Sequence, residues 1–268
     1  MRARAGAVDP AATRRMLDRP TSERPAQLSL ARLLILHLLP GAIATVVYVM
    51  LAEPVASAGY PPVAALLIAI GVVIVPLELG IVVFAGRRTR EGGGSLAAVP
   101  YRRPIQRRDW LVLIPALLVA SIVGFGLLAL IEPPIRDGLF GWLPAWFLAP
   151  LPLESITEYS RSAWTVTLVA YFALNAVVGP VTEELYFRGY LLPRMSRFGR
   201  WAPLINVVLF SAYHFWSPWQ FLTRIAGVSP FAYAVWSKEN VYLGIVVHVL
   251  LNTISVITVG LFVIGQVG

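Results

Sequence analysis

Seven long apolar runs decide which folds are open to this chain. They lie at residues 30–52, 61–85, 110–131, 163–179, 201–216, 221–236 and 242–265. A helix of about 20 apolar residues spans the hydrocarbon core of a bilayer and satisfies its own backbone hydrogen bonds there. We therefore predict an all-α, polytopic transmembrane helical bundle with about seven to eight membrane helices. The Trp-, Phe- and Pro-rich stretch 138–153 is too interrupted to span and predicts a kinked, interfacial or re-entrant segment.

The composition excludes several classes of protein. Only 13% of the residues are charged and 57% are hydrophobic, whereas soluble domains carry about 25% charged residues. The chain has no cysteine, which excludes disulfides, zinc–thiolate sites and iron–sulfur clusters, so any metal would need histidine and carboxylate ligands. The formal charge of +8 comes from arginines between the apolar runs. That placement predicts a lipid bilayer as the partner and no nucleic acid.

The arginines also predict the domain organisation and the orientation. We divide the chain into a disordered basic tail (1–29), N-terminal membrane helices (30–160) and a membrane core that carries the unusual charges (161–268). Arginines concentrate in the tail, in the loop 86–109 and in the region 188–200. Because cytoplasmic loops carry an excess of arginine and lysine, we expect a multi-pass integral membrane protein with a cytoplasmic N-terminus. The Arg-, Ala- and Gly-rich composition favours a bacterial cell membrane.

Ionisable residues in the core are the first sign of function. Glu183, Glu184 and Arg188 directly follow an apolar run, and His214 and His248 each lie inside another. Such groups are costly at membrane depth and persist where they pair or do chemistry. Glu184 and Arg188 are four residues apart and can form a structural ion pair along one helix face. Glu183 lies about 100° further round a helix, which leaves it as the working carboxylate.

The spacing of these residues predicts a shared site. The midpoint between Glu183 and His214 falls at Phe198 and Gly199, a plausible turn. An antiparallel helical hairpin turning there would place both side chains roughly 20 Å from the turn, at matching depth. His248 and Asn252 are four residues apart and share one face of the last helix. Two carboxylates and two imidazoles can hold a metal or activate a water, which favours a membrane-embedded hydrolase.

Three sequence motifs resemble those of a known family, the CAAX prenyl protease 2 and bacteriocin-processing group of intramembrane proteases (CPBP or Abi). Its first motif is two glutamates, three residues and an arginine, which matches the stretch from Glu183 to Arg188. Its second is a phenylalanine four residues before a histidine, matching Phe210 and His214. Its third is a histidine four residues before an asparagine, matching His248 and Asn252. The resemblance covers about residues 163–260.

The resemblance implies hydrolysis of peptide bonds in a membrane-associated protein or peptide. In that family's terms, Glu183 and His214 would position and deprotonate the attacking water, and His248 and Asn252 would stabilise the oxyanion. The family has also been regarded as metalloproteases, so Glu183, His214 and His248 could instead bind zinc and leave one position open for water. The chain has no HExxH motif. Metal-free and zinc-bound water therefore both stay open.

Two other functions would use the same residues. A proton-coupled transporter could employ the buried glutamates and histidines as a proton relay. Inverted repeats would favour that function, and the sequence shows none. A non-proteolytic membrane scaffold of the same family would retain the motifs without turnover.

Overall fold

The all-α class predicted from the apolar runs is confirmed by the fold. The structure is a computed structural model that describes residues 25–89 and 94–267, so most of the predicted disordered tail lies outside the described residues. Within these ranges the only extended pairing is an isolated bridge between Arg102 and Asn240. The helices are α1 Leu30–Ser57, α2 Val63–Arg87, α3 Arg107–Ala129, α4 Glu132–Leu139, α5 Ala145–Leu148, α7 Ala202–Tyr213, α8 Phe221–Lys238 and α9 Val241–Val267, with α6 described next.

Helix α6 carries the first motif and consists of four successive helical segments. These are Arg161–Ala170, Tyr171–Val178, Gly179–Glu183 and Glu184–Leu191, the second and fourth of which are π-helical. A proline inside a helix usually breaks or kinks it. Instead, the chain stays helical through Pro180, and the winding changes from π to α there. Proline suits this position because the first turn of a helical segment does not need its N–H.

Among the described residues, five helical stretches are long and apolar enough to cross a membrane. They are Leu30–Ser57, Val63–Arg87, Arg107–Ala129, Arg161–Tyr213 and Val241–Gln266. The run at 201–216 continues the same helical stretch as α6, after a turn, and α8 is not among the five. Apolar length alone predicts that a segment is membrane-embedded, but not whether it reaches the other side.

The runs at 201–216 and 221–236 form a helical hairpin, made of α7 and α8. Gly199, with a φ of 53°, forms the turn that the spacing predicted before α7, and a left-handed φ of this kind is most accessible to glycine. Helix α7 ends at Tyr213, and a short connection with a 3₁₀ turn at Pro218–Gln220 leads into α8. The Tyr233 hydroxyl donates to the carbonyl of Arg200 at 3.3 Å. Both arms therefore meet again at the arginine-rich end of the bundle.

The remaining helices surround this hairpin. Helix α1 packs on α2 and α7, α3 lies along α8, and α9 contacts α6, α8 and α3. Asn206 of α7 joins neighbouring helices, because its Nδ2 lies 3.1 Å from both His37 Nε2 and the Phe187 carbonyl. Interhelical hydrogen bonds of this kind are typical of membrane bundles. Large apolar side chains are exposed on the outward faces of the long helices, among them Leu34, Met50, Phe84, Leu111, Leu127, Ile257 and Leu261.

The short helices α4 and α5 lie at the end of the bundle opposite Gly199. The N–H of Val63, at the start of α2, donates to the Pro150 carbonyl at 2.8 Å. Gln220 Nε2, just before α8, donates to Glu132 Oε2 of α4 at 3.3 Å. The stretch predicted as interfacial or re-entrant thus caps one end of the bundle, near the bend between α7 and α8.

Candidate active site

Glu183 lies between two histidines that come from different helices. The distance from His214 Nε2 to Glu183 Oε1 is 3.8 Å, and that from His248 Nε2 to Glu183 Oε2 is 3.9 Å. The three side chains are 10% to 12% exposed. Helix α6 supplies the carboxylate, the end of α7 supplies His214, and α9 supplies His248. The structure thus brings together the three residues that the sequence singled out.

The second nitrogen of each imidazole is already engaged. His214 Nδ1 lies 2.8 Å from the Phe210 carbonyl, one helical turn earlier. His248 Nδ1 lies 3.0 Å from Glu184 Oε1. A carbonyl or carboxylate oxygen can only accept, so both Nδ1 atoms must carry the proton. In each neutral ring the lone pair on Nε2 therefore faces Glu183.

Glu184 has two partners rather than the one that the sequence predicted. Its Oε1 lies 3.1 Å from Arg188 Nη1 and also faces His248, and both members of the Glu184–Arg188 pair are fully buried. None of the Arg188 nitrogens makes a well-aligned hydrogen bond to the described residues. The guanidinium instead lies over the Phe210 ring, with Cζ 4.1 Å from its centroid. Charge and ring contact together hold this arginine, and Glu184 connects it to the His248 imidazole.

Close packing of α9 on α6 makes the Glu184–His248 contact possible. Gly244 lies four residues before His248, and a Cβ added there would come within 2.5 Å of Glu184 Oε2 and 2.9 Å of Val235 Cγ2. A larger residue would therefore push the helices apart or displace the carboxylate.

Glu183 also has a hydrogen-bond partner, which the sequence analysis missed. The Tyr213 hydroxyl donates to Glu183 Oε1 at 3.1 Å. Glu78 of α2 lies close to both groups and is fully buried, and neither of its carboxyl oxygens has a hydrogen-bond partner among the described residues. Nothing in the spacing of the motifs indicated Tyr213 or Glu78, because their contacts depend on how α2 and α7 pack against α6.

Asn252 lies one turn after His248 and is held by α6. Its Nδ2 donates to the Asn175 carbonyl at 2.8 Å. A side-chain amide nitrogen carries two N–H groups, so this contact fixes the amide and leaves one donor available. Asn252, Glu183, His214 and His248 all line one cavity of about 720 Å³.

The cavity extends from the histidines toward the capped end of the bundle. Its wall includes residues of α2, α3, α6, α8 and α9 and the segment from Leu148 to Leu151. Trp216, Trp219 and Phe125 give it an apolar wall, and Arg224 and Gln220 give it a polar one. A mostly apolar pocket with a few convergent polar groups is the usual form of a binding site.

The donor set has the chemistry of a zinc site, but the geometry does not match one. Among the described residues, no group of three or more histidine and acidic side chains is arranged to hold a metal ion. Ligand atoms at zinc distances in a tetrahedral site lie roughly 3.3 Å apart, whereas the two Nε2–carboxylate distances are 3.8 and 3.9 Å. The zinc alternative is therefore not supported by this arrangement, and no catalytic step below is derived through a metal.

Comparison with known proteins identifies the segment that carries the site. Residues 164–254 match a family model described as "Type II CAAX prenyl endopeptidase Rce1-like". No curated protein and no solved structure matches the chain. The matched segment contains all three motifs, from Glu183 to Asn252, and five apolar helical stretches accompany it. The chain is thus a membrane protein whose residues 164–254 are similar to the Rce1-like type II CAAX prenyl endopeptidase family, in agreement with the CPBP resemblance drawn from the motifs.

Proposed function

We propose that this protein is an intramembrane endopeptidase that hydrolyses peptide bonds of a membrane-associated protein or peptide. The observation that carries the proposal is the convergence of the Glu183 carboxylate and the His214 and His248 imidazoles on one cavity. The family match over the same residues adds that related domains are endopeptidases.

Glu183 is the general base in this proposal. A water held between Glu183 and His214 would give a proton to the carboxylate while its oxygen attacks the carbonyl carbon of the peptide bond. The gap of 3.8 Å between the two side chains is too long for a direct hydrogen bond. It is shorter than two hydrogen bonds end to end, so one water can contact both side chains. The Tyr213 hydroxyl fixes the carboxylate by donating to the same oxygen that faces His214. The proton on Glu183 then passes to the amide nitrogen as the C–N bond breaks.

His248 and Asn252 are the oxyanion-stabilising groups. The free N–H of Asn252 Nδ2 can donate to the tetrahedral intermediate directly. His248 can donate from Nε2 only when its ring carries both protons. Glu184 Oε1 lies 3.0 Å from Nδ1 and holds the imidazole with Nε2 toward Glu183 and the cavity. Donors fixed in advance in a low-dielectric site are among the strongest contributions to catalysis.

The proposal is tested by comparing membrane peptides from cells that express the wild type with peptides from cells that express Glu183→Gln. We expect cleavage products that are present only with the wild type. Glu53→Gln is the matched control, because Glu53 is an exposed glutamate of α1 outside the cavity. This control should give the wild-type peptide pattern, and the thermal unfolding of each purified variant confirms that it is folded.

The outcomes separate the three functions raised by the sequence. A Glu183→Gln protein that cleaves a confirmed substrate at the wild-type rate would refute the assignment of the base. Substrate-dependent proton flux in proteoliposomes, without cleavage, would favour the transporter. Complementation of a deletion strain by Glu183→Gln would favour the scaffold. Addition of 1,10-phenanthroline should leave the cleavage rate unchanged, and a loss that zinc restores would reinstate the metal-bound water.

A further inference from the structure

A second buried arginine, Arg224 of α8, lines the cavity and has a free donor. Arg224 is 9% exposed, and its side chain lies near His214 and Glu183. Nη2 donates to Ser217 Oγ at 2.8 Å and to Gln220 Oε1 at 2.9 Å. Nη1 is buried and has no hydrogen-bond partner in the described part of the chain. The guanidinium is therefore fixed on one side and unsatisfied on the other.

The described carboxylates that attract Arg224, which are Glu183 and Glu132, lie beyond ion-pair distance. Across residues 25–89 and 94–267, no carboxylate lies within ion-pair distance of it. Glu132 is connected to it only through Gln220, which accepts from Arg224 and donates to Glu132. Arg188, which is fully buried, has Glu184 as its counter-ion. A buried charge without a partner is expensive, so the Arg224 side of the cavity is built for an anion.

We propose that Arg224 binds a carboxylate of the peptide substrate, with Nη1 as the donor. This inference rests on the proposed endopeptidase function and adds a recognition element to it. A planar guanidinium pairs with a carboxylate more specifically than a point charge does. A peptide offers two such groups, its C-terminal carboxylate and the side chains of Asp and Glu. In either case, the bond to be cleaved lies within a few residues of the carboxylate, because Arg224 and His214 flank the same cavity.

Ser217 and Gln220 act as positioning residues for this subsite. They lie in the connection that directly follows His214, and each accepts a hydrogen bond from Nη2. The connection therefore holds both the imidazole and the guanidinium in fixed relation. Preorganisation of this kind lowers the entropy that is lost when the substrate binds.

The test measures binding without turnover, on the full-length Glu183→Gln protein in detergent micelles. The probe is a pool of N-acetylated pentapeptides with randomised apolar positions, made as C-terminal carboxylates, as C-terminal amides, and as amides with one glutamate. Peptides retained by the protein are quantified by mass spectrometry. We expect carboxylate-containing peptides to be retained about 10- to 100-fold better than plain amides. This factor is what one charge-assisted hydrogen bond contributes to binding. Terminal and side-chain carboxylates are distinguished by which of the two charged sets is enriched.

Substitutions assign the preference to one residue. Arg224→Gln in the same background should remove the enrichment, and Arg224→Lys should retain part of it. Arg136→Gln is the matched control, because Arg136 also lines the cavity but is already paired with Asp137 at 2.7 Å. The subsite would be overturned if the Glu183→Gln protein with Arg224 in place retained all three peptide sets equally. An enrichment that survives Arg224→Gln would also overturn it. The same enrichment, together with a wild-type protein that cleaves no membrane peptide, would instead overturn the endopeptidase proposal and leave the subsite standing.

Discussion

Replacing Glu184 should affect stability and catalysis by different routes, and the structure allows the two to be separated. Glu184 is the counter-ion of the fully buried Arg188 and the hydrogen-bond acceptor for His248 Nδ1. Glu184→Gln leaves the buried guanidinium without its ion-pair partner, and Arg188→Met leaves the carboxylate with His248 as its hydrogen-bond partner. Breaking a buried ion pair by removing one partner costs about 3–5 kcal/mol. We expect each single variant to lose that much free energy of unfolding.

The double variant Glu184→Gln/Arg188→Met should be more stable than either single variant. It removes both charges and leaves neither one buried alone, and such neutral replacements are often tolerated. Its activity should nevertheless stay low, because the neutral amide no longer offers His248 Nδ1 the charged acceptor that holds the imidazole in place. A hydrogen bond to a charged group contributes about 1.5–3 kcal/mol, which corresponds to a rate loss of about 10- to 150-fold.

The measurements are unfolding by SDS in mixed micelles, followed by tryptophan fluorescence, and the cleavage rate on a confirmed substrate. Asp109→Asn is the control for stability, because Asp109 and Lys238 form an ion pair at 3.0 Å that is more than one-third exposed. It should cost less than about 1 kcal/mol. Wild-type cleavage by the double variant would show that Glu184 does not act through His248. A Glu184→Gln variant as stable as Asp109→Asn would show that Arg188 does not need its counter-ion.

Three further predictions follow from single contacts and from the orientation. Tyr213→Phe should lower kcat/KM about tenfold or more without loss of folding, because the general base loses a donor at 3.1 Å; an unchanged rate would contradict this. Gly244→Ala should destabilise the protein by about 1–3 kcal/mol through overpacking. Gly260→Ala on the same helix should not, because there is open space around its Cβ. Equal effects of the two variants would refute the close approach of α9 to Glu184. In this cysteine-free chain, cysteine introduced at Arg197 should react with impermeant reagent only from the cytoplasmic side, and cysteine at Trp142 only from the other; the reverse pattern would invert the orientation.

Local spacing predicted several features of the site because they depend on one helix or one turn. The Glu184–Arg188 contact follows from four-residue periodicity, and the similar depth of Glu183 and His214 follows from a turn near Gly199. The hydrogen bond between Glu184 and His248 joins residues 64 positions apart. It depends on which face of α9 meets α6. These helices are apolar all round, so their sequence periodicity does not indicate that face.

The number of crossings was less predictable for a related reason. Hydropathy measures whether a segment is apolar over a certain length. The run at 221–236 meets that condition although it contains Arg224. The return of α8 to the arginine-rich end depends on contacts such as that of Tyr233 with the Arg200 carbonyl. Arg224 itself had no recognisable motif around it. Its importance is visible only once Ser217, Gln220 and the cavity wall are placed around it.

The bend between α7 and α8 has a consequence for hydration of the bilayer interior. Segments such as 214–220 cannot satisfy all their peptide groups as a continuous helix does, and irregular backbone at membrane depth persists only inside protein or beside an aqueous space. Trp216, Ser217, Trp219 and Gln220 of this bend all border the cavity. Burial in protein and contact with that space together allow the chain to reverse at this depth. The architecture that places His214 thereby also leaves room beside it for water, the second reactant of the proposed hydrolysis.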